Sequence, residues 1–250
     1  MRDALKRVFD LGLALVLLVV LLPLILVLCV AIWLQDRHSP FYVGRRVGRG
    51  GRPFGMVKFR SMVVGADRSG VMSTSDTDRR ITALGRLIRR FKLDEVPQLF
   101  NILAGHMSFV GPRPNVASEV ALYSEVEQGL LTVRPGITDF ASIVFADEGA
   151  ILAGSRDPDR DYNLLIRPWK SRLGLHYIAV RSLGLDLELM LLTALAVLSR
   201  RTALARVAAM LERTGADPDL VRIARRSDPL VPTLPPGVTK DTWEAHLTYE

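Results

Sequence analysis

Two adjacent carboxylates, Asp94 and Glu95, interrupt the apolar run FKLDEVPQLFNIL at residues 91–103, and Arg86, Arg89, Arg90 and Lys92 stand just before them. Three readings of such a group are open. Asp94 can be a helix N-cap, which places Glu95 at the first helical position and Pro97 within the first turn, where a missing amide costs little. The pair can belong to a half-buried ion-pair network. Or it can react: a carboxylate kept ionised by a helix N-terminus is a competent nucleophile toward phosphorus. In that reading Glu95 binds Mg2+ together with substrate phosphates, since Mg2+ takes oxygen ligands and few of them from protein. Arginines nearby offset charge on the non-bridging oxygens. A cap needs one acid and no row of arginines, so the local chemistry suits phosphoryl transfer.

Further basic side chains belong to the same reading. Lys58 and Arg60 alternate with Val57 and Phe59, so one strand face is expected to carry both toward an anion. In HMSFVGPRPNV (106–116), Pro112 and Pro114 lock the backbone on both sides of Arg113. A guanidinium held in this way suits bidentate contact with phosphate. VRPGITDF (133–140) presents Arg134 from a second such turn. His38, His106, His176 and His246 are scattered, and Cys29 is the single cysteine. That excludes an internal disulfide framework and disfavours a zinc site of histidine or thiolate ligands. The Gly- and Arg-rich turn from Arg45 to Arg52 has neither GxxxxGK[ST] nor GxGxxG and reads as a basic loop resting on lipid headgroups.

These residues must be positioned by a chain of 250 residues, 49% hydrophobic, with mean hydropathy +0.22. That balance fits one membrane segment attached to a water-facing body. A net charge of +7 and a pI near 10.0 favour an anionic partner: nucleic acid, anionic lipid or a phosphorylated substrate. Residues 11–34 contain no charged side chain, and a helix of that length extends about 36 Å, enough for a hydrocarbon core of about 30 Å. Pro23 predicts a kink or break at its centre. Basic residues flank both ends (Arg2, Lys6 and Arg7, then Arg37, Arg45 and Arg46). A segment that enters, turns at Leu22-Pro23 and leaves by the same face keeps both flanks cytoplasmic. A kinked spanning helix is the alternative, and charge alone does not choose between them.

Downstream, Pro40–Val43 and Phe54–Phe59 predict a hairpin. Residues 63–80 read as a polar mobile loop, and ITALGRLIRRFKL as a basic amphipathic helix for a membrane interface or a soluble surface. Residues 182–201 predict a Leu-rich helix, 202–226 one or two charged helices, and DPLVPTLPPGVTK a Pro-rich tail with little reason to fold. The fold class is α+β and mostly helical. Three regions are expected: a membrane-inserted part (1–36), a catalytic domain with interfacial helices (37–199) and a C-terminal extension of unassigned role (200–250).

The ordered motifs KRVFDLGLAL, PFYVGRRVGRGGRPFGMVKFRSM, ITALGRLIRRFKLDEVPQLFNILAGHMSFVGPRPNV and VRPGIT resemble the bacterial sugar transferase family, the monotopic polyprenyl-phosphate sugar-phosphate transferases. The resemblance runs from about residue 5 to residue 199. It implies a re-entrant N-terminal helix-break-helix and a compact cytoplasmic catalytic domain on the bacterial inner membrane. It also implies Mg2+-dependent transfer of sugar 1-phosphate from a UDP-sugar to undecaprenyl phosphate, through a covalent phospho-sugar on the aspartate of the dyad. The dyad falls on Asp94 and Glu95, with Glu95 as metal and phosphate partner. The family's basic residues near the donor diphosphate fall on Lys58, Arg89 and Arg113, with Arg60 and Arg134 as further candidates. Many members continue Pro-Gly-Ile-Thr with Gly-Leu and then Ala-Gln. Asp139-Phe140-Ala141-Ser142 depart from that, which bears on donor choice if the loop touches the donor. A homodimer is compatible with these features, and no nucleic-acid recognition fold is visible. The alternative class is a non-catalytic basic adaptor on a membrane surface.

Overall fold

The computed structural model describes residues 2–66 and 78–239; residues 67–77 of the expected polar loop lie outside them. Helix α1 (Arg2–Asp36) is a single helical element of 35 residues with Pro23 inside it. The expected break is therefore not an interruption of the helix. A proline removes one hydrogen bond and crowds one carbonyl, while the turns on either side keep their own bonds.

Ala14, Leu18, Leu21, Ile25, Leu28 and Ile32 form one stripe of α1 packed against the rest of the chain, recurring at the spacing of one helix face. The stripe continues past Pro23, so both halves dock on the same body. Leu15, Val16, Val19, Val20, Leu26, Val27 and Val30 are exposed, a contiguous apolar surface of the kind that marks a membrane or partner contact. Polar contacts hold both ends. Lys6 pairs with Asp186 at 2.5 Å, and Arg7 donates to the carbonyls of Ile102 and Leu103 at 2.8 and 3.3 Å. At the far end Arg60 donates to both oxygens of Asp36 at 2.6 and 2.7 Å.

The expected hairpin is present as β1 (Phe41–Val47) and β2 (Pro53–Phe59), antiparallel with Tyr42 opposite Lys58. Its turn places Gly50 and Gly51 at φ 67° and 75°, where a side chain would be strained. Helix α2 (Ala83–Arg90) starts at Thr82, whose hydroxyl accepts from the Gly85 amide at 2.9 Å. It buries Ile88 against Ile25, Leu28, Ile32 and Phe59 and leaves Leu87 and Phe91 exposed. Helix α3 (Gln98–Leu103) carries Asn101, which accepts from the Val57 amide at 2.9 Å and donates to the Gly55 carbonyl at 2.6 Å. One buried amide thereby registers α3 against the strand that bears Lys58.

Two short strands, β3 (Ser108–Val110) and β4 (Gly136–Thr138), pair in parallel. Gly111 and Gly136 meet backbone to backbone, and a Cβ on Gly136 would fall 2.1 Å from the Gly111 nitrogen. Only glycine permits this approach. The Gly136 amide donates to the Pro112 carbonyl at 3.1 Å and the Gly111 amide to that of Thr138 at 3.0 Å. The two Pro-Gly turns of the sequence thus interlock, and Arg113 projects from the rigid result.

Short helices α4 (Ala117–Ala121), α5 (Phe140–Val144), α6 (Glu148–Ile151) and α7 (Pro158–Asp161) precede a π-helical turn, Tyr162–Ile166. It leads into α8 (Arg167–Val180), α9 (Leu183–Leu198), α10 (Arg200–Arg213) and α11 (Pro218–Arg225). Phe140, Leu173, Leu189, Val207 and Leu211 lie in one core built by α5, α8, α9 and α10. The last two helices of the extension complete that core. The Pro-rich tail, expected to have little reason to fold, is ordered on the body through residue 239. Leu230 packs on the core, the Thr233 amide donates to the Leu164 carbonyl at 2.9 Å, and the Ser124 hydroxyl donates to the Pro236 carbonyl at 2.5 Å. Prolines pre-set the extended backbone and reduce the entropy lost on docking, so a few bonds suffice.

Leu211 is 0% exposed, and Leu211→Ala is expected to cost about 2–5 kcal/mol. The change is read as a lowered thermal midpoint of the detergent-solubilised full chain. An unchanged midpoint would mean that α10 is a detachable appendage.

Candidate active site

After α2 the chain turns sharply at Lys92, which adopts φ 57° and ψ 20°, and enters a 3-10 turn, Leu93–Glu95. Helix α3 begins later, at Gln98, with Pro97 in the capping position. Asp94 is therefore not an N-cap. The left-handed Lys92 redirects the chain, and the tight turn gives the Asp94 side chain no free helix amide to accept from. Among the described residues the Asp94 carboxylate accepts no hydrogen bond. Its ion-pair partner is Lys58 Nζ, 3.8 Å away, although the residue is only 9% exposed.

Glu95 is held far more firmly. Arg113 approaches its two oxygens with Nη2 at 2.5 Å and Nη1 at 3.4 Å, the fork geometry of a bidentate pair. Lys58 Nζ adds a bond of 3.3 Å. Three separate elements converge: β2 supplies Lys58, the 3-10 turn the two acids, and the Pro112–Pro114 turn Arg113.

The two neighbouring carboxyls are driven in opposite directions. Burial pushes Glu95 up, but Arg113 and Lys58 together outweigh it and hold Glu95 well below the usual carboxylate range. Arg113 is correspondingly pushed above its ordinary value, with Glu95 as the main cause. Burial also raises Asp94. Lys58 pulls it back, the Glu95 charge adds to the rise, and the result lies above the ordinary carboxyl value. The expectation that a helix N-terminus keeps Asp94 ionised is corrected: burial governs its titration. Lys58 is lowered by burial despite Glu95 and Asp94 beside it.

The other expected residues divide. Arg89 of α2 favours the charged form of Asp94 through space, with no hydrogen bond or ion pair between the two among the described residues. Arg60 is elsewhere. Strand β2 ends at Phe59, so the alternation stops before it, and its guanidinium binds Asp36 and the Ser39 carbonyl. Arg134 donates to the Gly105 carbonyl at 2.9 Å and lines a small cavity with Lys6, Arg7, Arg49 and Arg181. That cavity includes none of Lys58, Asp94, Glu95 or Arg113. The turn bearing Arg134 serves the site through Gly136 instead. Asp139 and Phe140 are both buried. Asp139 caps α5 by accepting from the Ser142 amide and hydroxyl, each at 2.7 Å, so this departure from the commoner motif lies inside the fold.

The donor set fits the expected Mg2+ in chemistry. Among the described residues the Asp94 carboxylate has no hydrogen bond, and Glu95 Oε2 accepts only the 3.4 Å bond from Arg113. These are hard oxygens with free lone pairs, suited to an ion that completes its shell with water and substrate phosphate. Among the described residues there is no group of three or more His, Cys, Asp or Glu that could form a cage by itself. Asn101 was not singled out from sequence, though an amide inside the apolar run QLFNIL was its available signal.

Comparison with known proteins places this geometry in context. Residues 1–200 match the family model described as bacterial sugar transferase. The UDP-glucose:undecaprenyl-phosphate glucose-1-phosphate transferase of Xanthomonas campestris pv. campestris is 37% identical over 204 residues, covering 79% of this chain and 40% of that protein. The undecaprenyl-phosphate glucose phosphotransferase of Komagataeibacter xylinus is 38% identical over 195 residues, covering 75% and 35%. The undecaprenyl-phosphate galactose phosphotransferase of Salmonella typhimurium is 33% identical over 211 residues, covering 78% and 41%. This chain thus spans less than half the length of each of these relatives. With residues 1–200 of its 250 accounted for by one family model, the chain belongs to the bacterial sugar transferase family.

Proposed function

We propose that this chain transfers a sugar 1-phosphate from a UDP-sugar to undecaprenyl phosphate, through a covalent phospho-sugar on Asp94. The observation that carries the reading is the Asp94 carboxylate: nearly buried, accepting no hydrogen bond among the described residues, and 3.8 Å from Lys58 beside the Glu95–Arg113 pair. A desolvated carboxylate without donors to satisfy it is a stronger nucleophile than a solvated one.

In the first step an Asp94 oxygen attacks the phosphorus that bears the sugar. The Asp94 O–P bond forms, the bond from that phosphorus to the bridging oxygen breaks, and UMP leaves with the electron pair. Lys58 and Arg113 face the non-bridging oxygens, where charge concentrates. In the second step a phosphate oxygen of undecaprenyl phosphate attacks the same phosphorus, and the Asp94 carboxylate leaves, restored. Glu95 holds Arg113 and Lys58 in place throughout. Asp94 and Glu95 would hold Mg2+ together with the donor diphosphate, and the ion would supply Lewis-acid neutralisation of the phosphate oxygens.

The acceptor is a lipid, and the fold suits delivery from a membrane. Helix α1 is long and apolar enough to cross a bilayer. Yet the same body holds its start through Lys6 and Arg7 and its end through Asp36, and packs along the stripe between. A helix with its ends on opposite sides of the bilayer would need that polar body on both sides. Both ends on the cytoplasmic face of a bacterial inner membrane satisfy the contacts and the basic flanks together. Exposed Leu87 and Phe91 then add to the inserted surface.

Incubating the protein with UDP-sugars and no lipid acceptor is expected to release one equivalent of UMP and leave phospho-sugar on Asp94, detected by intact mass. Asp94→Asn should do neither. Full lipid-linked product from Asp94→Asn would sink the covalent mechanism. UMP release should fall as pH drops through the Asp94 pKa, which lies above the ordinary value of about 3.9.

Stability should move the other way. A carboxyl whose pKa rises on folding favours the native state below its unfolded pKa and loses that contribution as pH rises through the folded one. Asp94→Asn is therefore expected to raise the thermal midpoint at neutral pH, with the gain shrinking toward pH 4. A capping aspartate would instead lose about 1 kcal/mol, so a lowered midpoint restores the cap reading.

For topology, tags at residue 1 and after residue 36 should both be protected from extracellular labelling. Labelling of one alone would show a spanning helix.

A further inference from the structure

Beyond Arg113, away from Asp94, the walls of the site change character. The Val47 amide donates to the Asn115 carbonyl at 2.9 Å, which brings Arg46 of β1 beside the Pro-Arg-Pro turn. On the other side Gly174 of α8 backs onto the same turn, and a Cβ there would lie 3.5 Å from Pro112 Cβ. Lys170 is one helical turn before Gly174 on the same face. It pairs with Glu148, and its amine lies 5.2 Å from the centre of the Tyr162 ring. Tyr162 opens the π-helical turn, a deviation frequent at functional sites. The Thr233–Leu164 bond from the tail reaches this turn.

Glu119 of α4 completes the group. Its Oε2 is buried with no hydrogen-bond or ion-pair partner among the described residues. A buried acceptor left open costs free energy that a ligand donor would recover. Arg113 senses Glu148, and Glu119 senses Lys170, Arg46 and Glu148, so the groups share one environment. Two carboxylates here repel a diphosphate, which belongs with Lys58 and Arg113. They suit instead an uncharged part of the donor rich in hydroxyl donors, with Lys170 to donate back and the Tyr162 ring to cover an apolar ring face.

Resting on the proposed transferase reading, we infer that Glu119, Glu148, Lys170 and Tyr162 form the subsite for the donor's sugar ring. Glu119 Oε2 accepts from a ring hydroxyl and so sets which sugar is transferred.

The test compares wild type with Glu119→Gln and Lys170→Ala, using UDP-sugars that differ in one hydroxyl and free UDP as an inhibitor. For Glu119→Gln, KM for the preferred donor should rise roughly tenfold or more and the preference between epimers should shrink, while inhibition by UDP stays within about twofold. Lys170→Ala should show the same pattern, with a melting profile near wild type confirming that it folds. Weakened UDP inhibition to the same degree as sugar discrimination would place the nucleoside here and overturn the proposal. Unchanged epimer preference while UMP release continues overturns it as well. Wild-type protein that releases UMP from no donor sinks the transferase reading instead. The subsite is then judged by sugar 1-phosphate binding in a thermal shift: loss in Glu119→Gln supports it, and equal binding overturns it.

Discussion

The bidentate pair between Glu95 and Arg113 is the contact on which the site depends. It joins a 3-10 turn to a Pro-locked turn 18 residues further along, and Lys58 bonds into it from a strand. Pairs of this kind contribute little net stability when buried, because desolvation offsets attraction, yet removing one partner is costly. Their use is geometric. Glu95 fixes two cations at a defined spacing, and the backbone supports each partner independently: Asn101 registers β2 against α3, and the Gly111–Gly136 contact locks the turn of Arg113.

Helix α1 is held by the same logic. An apolar helix alone is free to choose its tilt, and its exposed apolar side supplies no direction. Direction comes from ends that cannot leave water. Asp186 sits 1% exposed beneath Lys6 and also accepts from Tyr177 at 2.6 Å, so α1, α8 and α9 share one polar anchor. Arg7 satisfies carbonyls at the end of α3, the helix that follows the dyad. The orientation of α1 and the position of Asp94 are therefore mechanically one unit.

Much of this was legible in residue order. The hairpin, the amphipathic α2 and the rigid presentation of Arg113 followed from alternation, helical spacing and proline placement. Where the reading failed, a simple local rule lost either to a contact distant in sequence or to an unusual backbone conformation next door. Arg60 belongs to the strand face by alternation, but Asp36 at the end of α1 captures it. Asp94 has the composition of a cap, but Lys92 turns the chain before a helix begins. The tail after Ser227 carries the composition of a linker, yet it finds partners in Leu164 and Ser124, which no local pattern announces. Arg134 occupies a motif like that of Arg113, and the decisive residue there proved to be Gly136, whose value lies in what its missing Cβ permits.

The unequal treatment of the two acids is the feature that ties structure to reaction. Two identical functional groups in adjacent positions are pushed apart in pKa by their surroundings, a pattern that separates roles in an active site. Glu95 receives both strong cationic contacts and stays a fixed anion. Asp94 pairs with the lysine at longer range among the described residues, and it carries the cost of burial. In the proposed reaction that cost is relieved when the bond to phosphorus forms, because the carboxylate loses its charge to the bond and the displaced electron pair leaves on UMP. It returns when the acceptor displaces the carboxylate. On that proposal the energy that an ionised Asp94 withholds from folding favours attack on phosphorus, and satisfying Asp94 with a full set of donors would stabilise the chain at the expense of that step.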